Sequence, residues 1–328
     1  MKRSILLTLH ENAMYKNKTI GVVVPAYNEE KLITRVIDTM PDFVDRIIVV
    51  DDASTDNTAK ILENEKKHHP QLEIVTHKKN QGVGAAIVTG YKRARELKLD
   101  ITVVMAGDAQ MDPADLPAII EPVANGEADY TKGNRLFRGE SWNMIPHYRY
   151  LGNAFLSFLT KIASGYWHIA DSQCGYTAIS LDTLNVLDLD NIYKKYGMPN
   201  DILIKLNIEN CRVRDVNVRP VYNIGEKSGI RLWKVIPAIT RLLIRGFFQR
   251  LFIKYVIKDF HPLVLFYSLS FITIPLSFLF LIRTFLIYYT KGFVPPTSHL
   301  LFWLMFISGM QSLLFAMWFD MEYNKHLK

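Results

Sequence analysis

Two apolar runs near the C-terminus, Leu263–Tyr289 and Leu300–Phe319, limit what this chain can become more than any other feature. Each reaches the roughly 20 apolar residues needed to cross the hydrocarbon of a bilayer. Pro275 is tolerated in a membrane helix, and Arg283, near one end of the first run, can snorkel to the headgroups. Two such runs in succession, rich in Phe, Leu, Trp and Tyr, predict a membrane hairpin rather than a pair of buried soluble helices. The soluble fold must then come from the residues before them.

Charge supplies an orientation. The chain carries 39 Lys and Arg against 32 Asp and Glu, a net charge of +7. Its mean hydropathy of +0.06 looks ordinary only because the apolar residues are gathered at one end. The segment KSGIRLWKVIPAITRLLIRGFFQRLFIKYVIKDFHP before the first run is strongly basic, the tail ends in NKHLK, and the connecting loop offers only Lys291. The excess of Lys and Arg predicts that both flanks are cytoplasmic and that the loop faces out. Arg241, Arg245, Arg250, Lys254 and Lys258 alternate with Leu, Ile, Phe and Tyr, a pattern suited to an interfacial helix beside anionic lipid heads. No nucleic-acid motif accompanies this basic stretch, so a nucleic-acid partner is not expected. The two cysteines, Cys174 and Cys211, have no metal or redox spacing and are expected to stay reduced. Residues 1–18 contain too short an apolar stretch for a signal peptide; they form a leader with no assigned role, and Met14 is an alternative start.

Between the leader and the basic collar, strands and helices alternate. Thr19 to Val24 reads as a strand running into Pro25, followed by Asn28 and a helix from about Glu29 to Met40. Asp45 to Val50 is a second strand ending at Asp51 and Asp52, with Ser54, Thr55 and Asp56 offered as helix N-caps. Leu72 to His77 is a third, Gly82 to Lys98 a loop and helix, and 103 to 106 a fourth strand. This order predicts a parallel sheet covered by helices. Beyond Asp129 the pattern is less regular, with an amphipathic stretch near 147 to 166 and a last strand over Val213 to Val221. The expected domains are 19–230 as one α/β unit, 231–261 as a basic juxtamembrane segment, 262–320 as two membrane helices and 321–328 as a cytoplasmic tail.

Polar residues recur just after strands, at Asn28 and Glu29, at Asp51 and Asp52, and at Asp108 to Asp112. Alternation in an extended segment would place Asp108, Gln110 and Asp112 on one face. Carboxylates and an amide oxygen suit a hard cation such as Mg²⁺ or Mn²⁺, which bridges protein to phosphate oxygens. Arg135, Arg149, Arg219 and Arg231 are candidates for a second anion. The segment containing Gly82 and Gly84 lacks the third spaced glycine of a dinucleotide-binding turn, and Ala85 and Ala86 read as close helix packing. His68, His69 and His77 show no ligand spacing and are expected at the surface.

Six motifs, in order, give these residues a context: VPAYNEE (24–30), VVDDASTDNT (49–58), NQGVGAAIVTGY (80–91), AGDAQMDP (106–113), DSQCGYTAI (171–179) and GEKSGIRL (225–232). Together they resemble the motif set of family 2 glycosyltransferases, and more narrowly of dolichol-phosphate mannose synthases and related polyprenyl-phosphate glycosyltransferases. The resemblance covers nearly all of 19–232. It implies a GT-A fold, a Rossmann-like nucleotide-sugar-binding sheet, followed here by the two-helix hairpin. It also implies inverting transfer of one sugar from a nucleotide sugar, a UDP-sugar favoured over GDP-mannose, to dolichyl or polyprenyl phosphate.

On that template Pro25, Tyr27 and Glu29 line the nucleobase and ribose site and Asp52 contacts the nucleoside. Asp108 and Gln110 hold Mg²⁺ or Mn²⁺ on the donor diphosphate. Arg135, Arg149, Asn153, Arg219 and Lys227 face the acceptor phosphate, Arg135 and Arg149 counting with Asp108 and Gln110 as catalytic. Asp201 takes an orienting role, because a phosphate acceptor needs no base. One departure stands out: the family often has a carboxylate where this chain has Ala106, and Asp112 is the candidate replacement. Two other readings remain open at this stage, transfer to a lipid or polysaccharide hydroxyl and a non-catalytic nucleotide-sugar-binding membrane protein. A processive polymer synthase would show a QxxRW motif, which IRLW at 230–233 is not. The sequence leaves a homo-oligomer open.

Overall fold

The structure, a computed structural model, describes residues 15–136, 147–219, 221 and 232–328, and the side chains of all of these except 147–150 and 232–235. The chain divides into two compact units, one running to Phe247 and including Leu327–Lys328, the other Phe248–His326.

The first unit is built on a sheet of seven strands: β1 (Ile20–Ala26), β2 (Arg46–Asp51), β3 (Leu72–Thr76), β4 (Ile101–Val104), β5 (Tyr130–Asn134), β6 (Thr177–Ser180) and β7 (Val213–Asn217), in the order β3-β2-β1-β4-β6-β5-β7. Every pairing is parallel except those of β6, which runs against both β4 and β5. The alternation of strand side chains shows why helices must cover both faces. Val22 and Val24 of β1 pack with Ile33, Val36, Leu62 and Ile119, whereas Val23 packs with Ile48, Ala86 and Ala94 on the other face. The crossover from β4 through helix Leu116–Ala124 to β5 skips one strand position, which β6 later fills in the opposite direction.

This topology decides where ligands can bind. Six strands end at one edge of the sheet, and because β6 is antiparallel, the loop 171–176 that enters it lies at that edge too. Pro25 fits in the central strand for a related reason. Its carbonyl accepts from Gly107 N at 3.2 Å beyond the last β1–β4 register pair, Val23 with Val104, so its missing N–H breaks no ladder bond.

Several expected boundaries shift. β4 ends at Val104 and β7 at Asn217, both earlier than the sequence pattern suggests. The first regular helix is only Ile33–Asp38, its leading turn closed by Ile33 N onto Glu29 O at 3.0 Å. Arg231, Lys227 and most of the 225–232 motif lie outside the described residues.

In the second unit, helices Leu263–Lys291 and Pro296–Tyr323 are long and apolar enough to cross a membrane, with mean hydropathies of 2.1 and 1.8 over their most apolar windows. Only 17% and 22% of those windows is buried, far less than a soluble core helix requires. The two run antiparallel, Phe266 meeting Phe319 and Phe278 meeting Phe302. Gly309 permits the close crossing: a Cβ there would stand 2.5 Å from Thr273 Oγ1 and 2.8 Å from Ile274 Cγ1.

At one end of the hairpin, Arg250 makes a two-pronged pair with Asp320 at 2.7 and 2.9 Å, Tyr255 donates to Asp320 at 2.5 Å, and Lys254 donates to Asn324 at 2.8 Å. Arg250 and Lys254 are therefore buried, contrary to the lipid-facing position expected of them, because each has an internal oxygen partner. Arg241, Arg245 and Lys258 are exposed.

Candidate active site

Strand order lays the polar residues along the edge in a fixed sequence: His77 after β3, Asp52 after β2, Tyr27 to Glu29 after β1, Asp108 after β4, the 171–176 loop before β6, Arg135 after β5 and Arg219 after β7.

The β1, β2 and β4 ends are shaped by main-chain conformations that few residues adopt. Asn28, Ala53 and Ala109 have φ of 59°, 61° and 56°, in the left-handed region uncommon for residues other than glycine. Asn28 and Ala53 lie two residues beyond β1 and β2, and Ala109 five beyond β4. Ser54 Oγ accepts from Asn28 N at 3.0 Å, Asn28 Oδ1 accepts from Thr55 N at 2.8 Å, and Asp56 Oδ2 accepts from Glu30 N at 3.2 Å, so the β1 and β2 loops are laced together. Asp56 Oδ1 also accepts from Thr58 N at 3.0 Å at the start of the following helix.

Asp52 is buried and accepts from Gln81 N at 2.9 Å, Gly82 N at 2.7 Å and His77 Nδ1 at 2.7 Å, while His77 Nε2 meets Thr89 Oγ1 at 2.9 Å. A carboxylate can only accept, so Nδ1 is the histidine donor in this pair. His77 is thus not a surface residue; the adjacent Lys78 and Lys79, both exposed, hide a buried partner of Asp52 in the sequence. Gly82 and Gly84 also have a packing reason, a Cβ on Gly82 standing 2.8 Å from Lys194 O. A Cβ on Gly84 would stand 2.5 Å from Tyr193 O, and Ala85 N donates to Lys194 O at 3.0 Å.

The chain stays bonded to β1 through Met105 N and Gly107 N, and beyond Gly107 it is no longer extended. It turns through Ala109, and Asp108 Oδ1 accepts from Gln110 N at 3.1 Å, so the predicted single-face alternation of Asp108, Gln110 and Asp112 does not occur. Asp112 instead caps the short turn Pro113–Asp115, accepting from Ala114 N at 2.9 Å. Glu29, partly buried in the β1 loop, has its carboxyl pushed up to about 7 by burial, then by the charges of Asp108 and Asp56. The neighbouring carboxylates raise the cost of ionising Glu29, a cost that a cation would relieve. The Asp108 carboxylate and an amide oxygen from Gln110 are donor types that suit a hard divalent ion.

Across the gap filled by β6, the geometry rests on charge. Arg135 Nε reaches Asp171 Oδ2 at 2.8 Å and a second guanidinium nitrogen reaches Oδ1 at 3.3 Å. Asp171 is fully buried while Arg135 keeps 22% of its side chain exposed. Burial raises the Asp171 carboxyl, but Arg135 and Lys132 outweigh it and hold it below the usual range. Lys132, also fully buried, donates to Cys174 O, and burial lowers its pKa. Asp215 on β7 accepts from Ala170 N at 2.7 Å, and burial pushes it up to about 6. Lys132, Asp171 and Asp215 were not singled out from sequence; the only signal was that TKGNR and DSQ place charges inside otherwise apolar strand and loop patterns.

The remaining sequence candidates are less closely tied. Tyr27 is 45% exposed, Asn153 is half-buried on helix His147–Ser164, and Arg219 is exposed with its backbone N donating to Asp115 at 2.7 Å. The Arg149 side chain and all of Lys227 lie outside the described residues. Asp201 Oδ2 accepts from Tyr193 N at 2.8 Å and Lys205 Nζ at 2.5 Å. His69 is half-buried and meets Asp38 at 3.1 Å and Glu65 at 3.6 Å, in a small group outside the strand-end site.

Comparison with known proteins places these features in a family. Residues 21–187 match the model of glycosyl transferase family 2. A UDP-N-acetylglucosamine–dolichyl-phosphate N-acetylglucosaminyltransferase of Methanococcus voltae is 33% identical over 219 residues, covering 63% of this chain and 87% of that one. An undecaprenyl-phosphate mannosyltransferase of Micrococcus luteus is 29% identical over 225 residues, covering 67% and 91%. Among solved structures, glucosyl-3-phosphoglycerate synthase from Mycobacterium tuberculosis, in complex with Mn²⁺, UDP and glucosyl-3-phosphoglycerate, superposes with a TM-score of 0.51 at 23% identity over 71% of this chain and 80% of that one. That likeness establishes a GT-A-like mixed sheet. With the family match spanning more than half its length, the chain belongs to glycosyl transferase family 2 and is a glycosyltransferase.

Proposed function

We propose that this glycosyltransferase is anchored in the membrane by its two C-terminal helices, with its catalytic unit cytoplasmic, and transfers one sugar from a UDP-sugar to the phosphate of a dolichyl or polyprenyl lipid. The observation that carries this reading is the order of groups along the sheet edge. Asp108 follows β4 by four residues and Arg135 follows β5 directly, and the two strands lie two positions apart. At the usual strand spacing that is about 10 Å, room for one sugar between a donor diphosphate and an acceptor phosphate. The names of the relatives in Methanococcus voltae and Micrococcus luteus, both polyprenyl-type phosphate glycosyltransferases, support the same acceptor.

Each group then has a task. Asp52 fixes the 77–82 loop, and with Pro25, Tyr27 and Glu29 that loop shapes the nucleoside end. Asp108 and Gln110 would hold Mg²⁺ or Mn²⁺, which when bound neutralises charge on the donor diphosphate. Arg135, oriented by Asp171, holds the acceptor phosphate for attack on C1 from the face opposite the nucleotide, with Arg149, Asn153, Arg219 and Lys227 assigned to the same end. As the new C1–O bond forms, the bond to the diphosphate breaks and the configuration inverts. A phosphate monoester has its second pKa near about 6, so the nucleophile is already anionic at neutral pH and no general base is required. Asp201, engaged by Tyr193 N and Lys205, keeps a structural part. Catalysis rests on positioning and charge.

The test supplies radiolabelled UDP-N-acetylglucosamine, UDP-glucose and GDP-mannose separately to the full chain in detergent with undecaprenyl phosphate, with and without Mn²⁺ or a chelator. A lipid carrying a single sugar, formed from a UDP-sugar and lost with chelator, is expected. Several sugars per acceptor, or transfer to a lipid hydroxyl alone, would overturn the reading.

A further inference from the structure

A group of polar side chains in the first unit is buried where a close-packed core would place apolar ones. Ser157 and Thr160 belong to helix His147–Ser164, Ser172 and Gln173 to the loop entering β6, and Asn200 to the first turn of helix Met198–Ile208. Ser157, Thr160, Ser172 and Asn200 are each no more than 2% exposed. Burying hydroxyls and amides costs stability unless their hydrogen bonds are made, and a satisfied network in return fixes one arrangement of the elements it joins.

Asn200 is where the three elements meet. Its Oδ1 lies 2.9 Å from Thr160 Oγ1 and accepts from Gln173 Nε2 at 2.7 Å. Gln173 Nε2 also donates to Ser172 Oγ at 2.6 Å, and Ser172 N donates to Ser157 Oγ at 3.0 Å. The other atom of the amide, Nδ2, is buried without a partner among the described residues. A side chain kept only to fill space would be cheaper as Leu, so the bond that Oδ1 accepts from Gln173 Nε2 is the reason an amide stands here.

The loop that Asn200 holds is the one that carries Asp171. Asp171 Oδ1 accepts from Gln173 N at 3.1 Å, so the residue gripped by Asn200 is also bonded to the carboxylate that orients Arg135. The same loop is braced against the donor end: Tyr176 OH donates to Asp112 O at 3.2 Å, and a Cβ on Gly175 would stand 3.2 Å from Met111 Cε. We propose that Asn200 is a positioning residue for the acceptor half of the site, holding Gln173 and through it the Asp171–Arg135 pair in the orientation that receives the acceptor phosphate. This rests on the reading of Arg135 as an acceptor-phosphate group.

A double-mutant cycle on the full chain in detergent tests it, with undecaprenyl phosphate as the varied substrate and UDP binding in the presence of Mn²⁺ measured separately by calorimetry. Asn200→Leu is expected to raise the KM for undecaprenyl phosphate about tenfold, the scale of one misplaced charge-assisted hydrogen bond, while UDP affinity stays within about twofold. In an Arg135→Gln background the same substitution should add little, because its effect passes through that guanidinium. Equal effects of Asn200→Leu in both backgrounds, or a parallel loss of UDP affinity, would overturn the positioning role. If Arg135→Gln alone leaves the acceptor KM unchanged, the acceptor reading itself fails, a result separate from failure of the cycle. Gln173→Met, at a less buried position, removes the same contact and gives the second cycle should Asn200→Leu not fold; additive behaviour there also overturns the proposal.

Discussion

The two ends of the strand-end site are held by different means. At the end proposed for the donor the main chain does the fixing: left-handed turns at Asn28, Ala53 and Ala109 follow β1, β2 and β4, and backbone N–H groups of Gln81 and Gly82 hold Asp52. At the end proposed for the acceptor buried charges do it, with Arg135 against Asp171 and Lys132 and Asp215 set behind them. The difference follows from what each end is proposed to hold. A nucleotide with a metal needs shape and oxygen ligands, which turns supply. A mobile lipid phosphate needs a rigid cation, and a long Arg side chain becomes rigid only when a countercharge pins it.

Substitutions separate the two ends, beginning with the largest effect. Asp108→Asn should lower transfer by about a thousandfold or more while leaving the fold intact, as measured by lipid-linked product and circular dichroism. Asp171→Ala should instead destabilise the protein by about 3 kcal/mol in denaturant titration, because it leaves Arg135 and Lys132 without their buried counterion. Gly84→Ala probes the donor end through the backbone: with 2.5 Å to Tyr193 O, it should cost about 2 kcal/mol and weaken UDP binding.

A pH-dependent effect sharpens the electrostatic side of the comparison. Glu29 stands at about 7 against an ordinary 4.5, so the folded state holds this proton more tightly than the unfolded one. Its cost to stability is absent below the ordinary value, grows as pH rises, and is complete above the folded one. Glu29→Gln should therefore raise Tm by a few degrees at about pH 8 and leave it unchanged at about pH 4. Least of all, Asp201→Asn should keep activity within about threefold, since Asn retains an acceptor for Tyr193 N and no base is required.

Much of the β1, β2 and β4 side of the sheet edge was legible in sequence because its signals are local. Apolar runs ending in Asn28, Asp52 and Asp108 mark strand ends, and a parallel sheet brings such ends together. What local pattern could not show was β6, which enters the sheet in reverse between β4 and β5 and delivers Asp171 to the site edge. Burial of individual charges was equally hidden. His77 lies beside two exposed lysines yet is bonded to Asp52, and Arg250 and Lys254 look like lipid-facing cations until Asp320 and Asn324, some seventy residues on, supply their partners. The turn beyond Gly107 misled in a different way, because a left-handed Ala109 cannot be inferred from residue type.

The central claim is that donor and acceptor are held separately, at the ends of two strands that lie two positions apart. Calorimetric titration of UDP, with Mn²⁺ present, into the wild-type chain, Asp108→Asn and Arg135→Gln tests it most directly. The account expects Asp108→Asn to lose the Mn²⁺-dependent part of UDP binding and Arg135→Gln to bind UDP as the wild type does. Loss of UDP binding in Arg135→Gln, or full metal-dependent binding in Asp108→Asn, would contradict it.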